Sequence, residues 1–141
     1  MSVPINMMAV IVAAIAGIGL GSLWYGPLFG KQWMKIMGIS KGKMDAAMKQ
    51  KMMMSYFLTF IASIIMIYVL AHSMIFAAVY TNSSGASAAF MSAFWNWLGF
   101  IVPVTLGAVL WDGKPWKLFA INGGYWLAQL LLASMILSYW M

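Results

Sequence analysis

Charged residues are confined to two short segments of this chain, and that distribution restricts the fold more than any other feature. The eight lysines and two aspartates of the 141 residues leave positions 1–30, 52–110 and 118–141 without a formal charge. A helix rises about 1.5 Å per residue and the hydrocarbon core of a bilayer is about 30 Å thick, so about 20 apolar residues make one crossing. Each charge-free stretch is therefore long enough to span a membrane.

Four membrane-spanning helices are predicted, because the longest stretch is divided by the turn-forming TNSSGAS at 81–87. An isolated strand would leave its backbone groups unpaired in lipid, and no alternating barrel pattern occurs. Only 7% of the residues are charged, against about a quarter in soluble proteins. We predict an all-α, integral membrane four-helix bundle that forms a single domain over 1–141. The spans are placed near 3–25, 53–79, 88–110 and 117–140.

The lysines also predict an orientation. Residues 26–52 carry six lysines and one aspartate, residues 111–117 carry two lysines and one aspartate, and the loop at 80–87 is uncharged. Since positively charged loops remain in the cytoplasm, both lysine loops are predicted inside and both termini outside. The basic charge is then explained by topology, so no nucleic-acid partner is expected. The predicted location is the cell (inner) membrane, which the chain crosses several times.

A short amphipathic helix is predicted over 40–51 in the longer cytoplasmic loop. Ser40 is its expected N-cap, and Asp45 precedes Lys49 by four residues, a spacing that favours an ion pair on a helix. Met44 and Met48 would face the lipid headgroups.

One phrase occurs twice, as LWYGPLFGKQWMKI at 23–36 and as LWDGKPWKLF at 110–119. Each copy ends an odd-numbered span, so a duplication would give two parallel-repeat hairpins. The alternative is convergence, because Trp and Lys are favoured at the membrane surface and Gly and Pro in turns. Both explanations remain open. The candidate interfacial motif comprises Trp24, Tyr25, Pro27, Gly30, Lys31, Gly113, Lys114, Trp116, Lys117 and Tyr125.

Small residues recur every fourth position along three of the spans. This spacing lets helix backbones approach closely in a membrane, either within one chain or between copies of it. The three predicted packing ridges are Ala9–Ala13–Gly17–Gly21, Ser55–Thr59–Ser63 and Ala120–Gly124–Ala128.

Polar side chains inside the predicted spans are candidate functional residues, because burying them in lipid is costly. They are His72, Asn96, Asn122 and Gln129. By their depth, His72 and Asn96 could form a pocket near the outer surface, and Asp112 and Asn122 one near the inner surface. The alternative is that each only hydrogen-bonds across helices, as such residues commonly do.

Catalytic and cofactor chemistry lacks candidates in this sequence. Two carboxylates, one histidine and no cysteine leave no nucleophile with a neighbouring base and no complete set of metal ligands. Methionine thioethers can bind Cu(I), but the 15 methionines are scattered through every segment and suit packing better. We therefore expect no enzyme activity, no metal and no cofactor.

Four motifs together resemble the bacterial family catalogued as domain of unknown function 1761. They are GSLWYGPLFGKQW at 21–33, YVLAH at 68–72, FWNWLGF at 94–100 and GKPWKLFAINGGYWL at 113–127. The resemblance implies a small four-helix integral membrane protein without an assigned activity. It directs attention to His72 and Asn122 and to most of the interfacial motif, whereas Asp112 departs from the family pattern.

The expected function is therefore lateral packing in the bilayer, as an accessory subunit of another membrane protein or as a small homo-oligomer. The alternative is a small oligomeric transporter or channel whose path is lined by the intramembrane polar residues.

Overall fold

Helices form most of the protein in a computed structural model, which describes residues 3–40, 42 and 45–140. The described residues contain no strand, so the all-α prediction is confirmed. Among these residues, four helices are long and apolar enough to cross a membrane, which is the predicted number, although their bounds differ by up to seven residues from those expected. The helices are α1 (Met7–Leu28), α2 (Gly30–Met37), α3 (Ala46–Thr81), α4 (Gly85–Leu110) and α5 (Trp116–Trp140).

The loop helix differs from the one predicted over 40–51. The short helix is α2, which places Trp33 inward and Lys31 and Lys35 outward. Residues 46–51 are instead the first turns of α3, because no glycine or proline interrupts 46–81. The N-cap of α3 is Asp45, whose Oδ1 accepts the Met48 N–H at 2.7 Å.

Of the residues in that prediction, Ser40 lies outside any helix. Lys41, Lys43 and Met44 lie outside the described residues. The 36 residues of α3 correspond to about 54 Å at 1.5 Å per residue. This helix is therefore considerably longer than a single bilayer crossing requires.

Two spans contain a π-helical turn, at Trp24–Leu28 in α1 and at Trp97–Ile101 in α4. A proline accompanies each turn: Pro27 lies inside the first and Pro103 follows the second. Proline lacks an N–H and its ring collides with the carbonyl four residues earlier, so a wider turn relieves the collision without ending the helix.

The four long helices run alternately up and down, with α5 against all three others. The largest fully buried apolar side chains are Val10, Ile67, Leu70, Met74 and Leu137. They come from the start of α1 and the ends of α3 and α5, so the apolar core occupies one half of the bundle. We call the other end, where α1 and α4 finish and α5 begins, the lysine end.

The predicted packing ridges have different environments. Ala9, Ala13 and Gly17 are buried between α1 and its neighbours. On α3, Ser63 is buried but Ser55 and Thr59 are exposed. Close packing therefore applies to the α1 ridge, whereas most of the α3 ridge borders an open space.

On α5, a Cβ added at Gly124 would meet Trp24 at 3.2 Å. Ala128 is half-buried and Ala120 is exposed. The α5 ridge therefore packs closely only at its centre.

Candidate functional site at the lysine end

Tyr25 of α1 and Asn122 of α5 are joined at the lysine end. The Tyr25 hydroxyl donates to the Asn122 Oδ1 at 2.8 Å, and the Tyr25 ring lies 5.1 Å from the ring of Tyr125. On its other side the Tyr25 ring lies 5.7 Å from Trp33 of α2. Tyr125 in turn lies 5.1 Å from the Trp126 ring. The result is a continuous row of four aromatic rings across three helices.

Two tryptophans outside this row bind the backbone of α5. The indole N–H of Trp24 donates to the Ile121 carbonyl at 3.0 Å, and the indole N–H of Trp97 donates to the Gly123 carbonyl at 2.8 Å. Each tryptophan is the first residue of a π-helical turn. Both π-turns are therefore joined to one short stretch of α5.

Glycines allow the close approach of the helices in this region. A Cβ at Gly21 would lie 3.1 Å from the Tyr125 hydroxyl, and a Cβ at Gly17 would lie 2.8 Å from the Gln129 Nε2. At Gly30, a Cβ would collide with the Tyr25 carbonyl group. Glycine thus permits the close approach of α1 to the side chains of α5, and it is required where α2 folds back on the backbone of α1.

A cavity of about 490 Å³ opens beside the aromatic row, between α1, α2, α3 and α5. This volume lies within the range of about 300–1,000 Å³ that is usual for small-ligand sites. Among the residues that the structure describes, none that lines the cavity is charged. Its aromatic walls are Tyr25, Trp33, Tyr56, Tyr125 and Trp126.

The aliphatic hydroxyls of the cavity donate their protons to their own helices. Ser22 donates to the Ile18 carbonyl at 3.0 Å, Ser55 to the Lys51 carbonyl at 3.0 Å, and Thr59 to the Ser55 carbonyl at 2.7 Å. A hydroxyl has one proton and two lone pairs. These three groups are therefore available to a ligand as hydrogen-bond acceptors.

One turn deeper, the polar contacts continue towards the apolar core. The Gln129 Nε2 donates to the Ser63 Oγ at 3.4 Å, and the Tyr125 hydroxyl donates to the Gly17 carbonyl at 3.4 Å. Gln129 is 1% exposed, and its Oε1 has no hydrogen-bond donor among the described residues. The Gln129 Oε1 is thus a buried acceptor close to the site, but Gln129 does not line the cavity.

His72 and Asn96, the expected outer pair, are not bonded to each other. The Asn96 amide donates to the Ser73 Oγ and to the Ser92 carbonyl, both at 2.8 Å. His72 stays on its own helix, with Nδ1 3.0 Å from the Tyr68 carbonyl. Asn96 therefore joins α3 to α4, and His72 makes no such link.

Asp112 and Asn122, the expected pair near the inner surface, are not bonded to each other either. Asn122 is paired with Tyr25, whereas Asp112 is exposed in the turn after α4. Because this turn lies at the surface, the Asp112 carboxylate takes no part in the contacts between the helices. The structure pairs Asn122 with a phenol in place of Asp112.

The two similar phrases occupy the same end of the bundle but have different local structures. Trp24 and Gly30 of the first phrase are packed against α5 and α1. In the second phrase Gly113 has a φ of 64° and forms the turn between α4 and α5. The remaining members of the interfacial motif are peripheral: Pro27, Lys31, Trp116 and Lys117 are exposed and Lys114 is half-buried.

Trp97 and the hydroxyls of the cavity were missed as site residues by sequence reasoning. W-x-G triplets occur at Trp24, Trp97 and Trp111, and only the first two coincide with π-turns, so the triplet alone does not identify them. The spacing of Ser55 and Thr59 predicts a packing ridge, whereas the structure places both residues on the wall of the cavity. Spacing alone does not reveal whether a row of small polar residues meets a helix or a cavity.

Searches of curated proteins and of solved structures for similar chains found no match. A family model described as a protein of unknown function (DUF1761) matches residues 8–138, which is nearly the whole chain. The resemblance indicated by the four motifs is thereby confirmed, and the chain belongs to the DUF1761 family.

Proposed function

We propose that this chain is a multi-pass protein of the bacterial inner membrane that acts by lateral packing, as an accessory subunit or a small homo-oligomer. In this proposal both termini lie outside and the lysine end lies in the cytoplasm, as the charge distribution favours. The lipid bilayer and a second membrane protein, or a second copy, are the partners. We propose no catalytic or nucleic-acid-binding role.

This proposal rests on the interhelical hydrogen bonds that the intramembrane amide side chains form. Asn96, Asn122 and Gln129 each hydrogen-bond to a different helix from their own. Such bonds stabilise membrane helix contacts by a fraction of a kcal/mol to about 2 kcal/mol. Side chains that hold helices together in this way are less available to line a transport path.

The surface of α4 supports a lateral partner. Only 6% of its most apolar segment is buried, against 44% of that of α5. A Cβ added at Gly99 or Gly107 of α4 would meet nothing within 4 Å, so the helix backbone is open to an approaching helix at both positions.

Native mass spectrometry on gently extracted protein tests the proposal, because it reports subunit number and retained partners together. A defined homo-oligomer, or a complex with a second protein, supports it. Gly99→Leu and Gly107→Leu should then reduce association at least tenfold, whereas Gly19→Leu on the open face of α1 should not. A monomer without any protein partner in all gentle extractions contradicts the packing role.

Two substitutions distinguish the proposed packing role from the transporter alternative. Under the proposal, Asn122→Ala lowers stability because it breaks the bond to Tyr25, and His72→Ala changes stability little. If both variants remain folded but abolish a solute flux seen with the original protein in vesicles, the packing interpretation is wrong and the transporter alternative replaces it.

A further inference from the structure

We propose that the cavity between α1, α2, α3 and α5 binds a primary ammonium group carried by an amphiphile. The inference goes beyond lateral packing and does not depend on the oligomeric state. It rests on four hydroxyls that present acceptors to the cavity, on the aromatic walls, and on the finding that none of the described residues lining the cavity is charged.

Four hydroxyls of the lining already donate to the protein and present only acceptors to the cavity, whereas the indoles of Trp33 and Trp126 and the hydroxyl of Tyr56 are donors of the same lining. Ser22, Ser55 and Thr59 donate to backbone carbonyls of their own helices, and Tyr25 donates to Asn122. Their oxygens can therefore accept from a ligand without losing an existing bond. A primary ammonium has three N–H donors and no acceptor, which complements such a lining.

The aromatic walls favour the same ligand. Five aromatic side chains border the cavity, and the faces of tyrosine and tryptophan rings attract cations, most strongly where water is excluded. The lysines of α2 do not oppose this attraction from inside the cavity, because Lys31 and Lys35 are exposed on the face of α2 opposite Trp33. A carboxylate or phosphate could accept from the Trp33 and Trp126 indoles and the Tyr56 hydroxyl, but it would also face the oxygen lone pairs of the four hydroxyls that donate elsewhere.

The ligand is expected to carry an apolar chain as well. Ile18 and Met52 line the cavity beside the aromatic rings. Met52 is 40% exposed, so the apolar part of the lining continues to the protein surface. This combination suits either the headgroup of an aminophospholipid or a free alkylamine, which share the ammonium group and the apolar chain.

Calorimetry with decylammonium, decyltrimethylammonium and decyl phosphate on the delipidated full-length protein tests the ligand class. Decylammonium should bind saturably. Decyltrimethylammonium should bind at least tenfold more weakly because it keeps the cation–π attraction but has no N–H donor. Decyl phosphate should not bind. Equal binding of the two cations, preferred binding of the phosphate or no saturable binding of any probe each overturns the proposal.

Variants assign the binding to this cavity. Thr59→Val removes one acceptor and keeps the side-chain shape, so it should weaken decylammonium binding about tenfold. Thr105→Val is the matched control, because Thr105 of α4 also donates to a backbone carbonyl of its own helix, at 2.8 Å, but lies outside the cavity. Similarly, Trp126→Leu should weaken binding and Trp95→Leu, on the exposed face of α4, should not. Binding that is unaffected by both cavity variants overturns the assignment.

Mass spectrometry of the protein in nanodiscs made of phosphatidylethanolamine or of phosphatidylcholine distinguishes the two sources of the ammonium. Retention of phosphatidylethanolamine alone, lost in Thr59→Val, identifies the lipid headgroup. Decylammonium binding without any retained phosphatidylethanolamine identifies a free amine. Retention of phosphatidylcholine at the same level contradicts selection of a primary ammonium. The packing proposal would be unaffected, because it is judged by subunit number.

Discussion

The indole nitrogen of Trp24 lies 3.0 Å from the carbonyl oxygen of Ile121, 97 residues later in the chain. Trp97 makes the equivalent bond to the carbonyl of Gly123, two residues further along α5. In each case the tryptophan begins a π-helical turn that has a proline within or just after it. The parallel helices α1 and α4 are thus each joined to α5 by an indole hydrogen bond from the start of a π-helical turn.

Replacing either tryptophan with phenylalanine removes the indole donor while retaining an aromatic ring. We expect Trp24→Phe and Trp97→Phe each to lower the free energy of unfolding by about 1 kcal/mol. Reversible unfolding in mixed micelles provides the measurement. Trp95→Phe is the control, because that side chain is 60% exposed and should tolerate the change. Equal stability of all three variants would show that the indole bonds contribute nothing.

The bond between Tyr25 and Asn122 should be measurable as a coupling energy. Unfolding of Tyr25→Phe, Asn122→Ala and the double variant forms a double-mutant cycle. We expect a coupling of about 0.5–1.5 kcal/mol, because the bond joins two helices in a half-buried setting. Additive effects of the two substitutions would be incompatible with a stabilising bond.

Gly17 and Gly19 are neighbours on α1 with opposite environments. A Cβ at Gly17 would lie 2.8 Å from the buried Gln129 Nε2, whereas a Cβ at Gly19 would meet nothing within 4 Å. We expect Gly17→Ala to cost about 1–3 kcal/mol of unfolding free energy. Gly19→Ala should stabilise by up to about 1 kcal/mol through helix propensity. Chemical or thermal unfolding of both variants compares them, and destabilisation of Gly19→Ala alone would contradict the packing described for α1 and α5.

Gly30 allows α2 to begin directly behind the π-turn of α1. An added Cβ would collide with the backbone carbonyl of Tyr25, which cannot rotate away as a side chain can. Gly30→Ala should therefore displace α2 and destabilise the protein by at least about 1 kcal/mol. Gly26→Ala adds the same methyl group in open space and serves as the control. Accessibility of a cysteine introduced at Gln32 would report the displacement.

The proposed orientation can be tested because the natural chain contains no cysteine. A cysteine introduced at Ser84, in the exposed turn between α3 and α4, should react with a membrane-impermeant maleimide in intact cells. A cysteine at Gln32, near the lysine end, should react only after lysis. The reverse pattern would invert the orientation.

The architecture at the level of spans follows from the sequence alone. Stretches of more than 20 residues without charge have few stable alternatives to helices in lipid, so their number and approximate extent are determined locally. Cap residues in the loop were harder to identify. Ser40 and Asp45 are both good N-caps, and only the hydrogen bond from the Met48 backbone N–H to the Asp45 carboxylate shows which one begins α3.

Tertiary structure decided what the polar and small residues contact. By its depth Asn122 was expected beside Asp112, but it pairs with Tyr25, which lies in the π-turn at Trp24–Leu28 of α1. Ser55 and Thr59 have the spacing of a packing ridge but line a cavity. Sequence periodicity specifies which residues share a helix face, whereas the neighbour of that face depends on how four helices fit together in three dimensions.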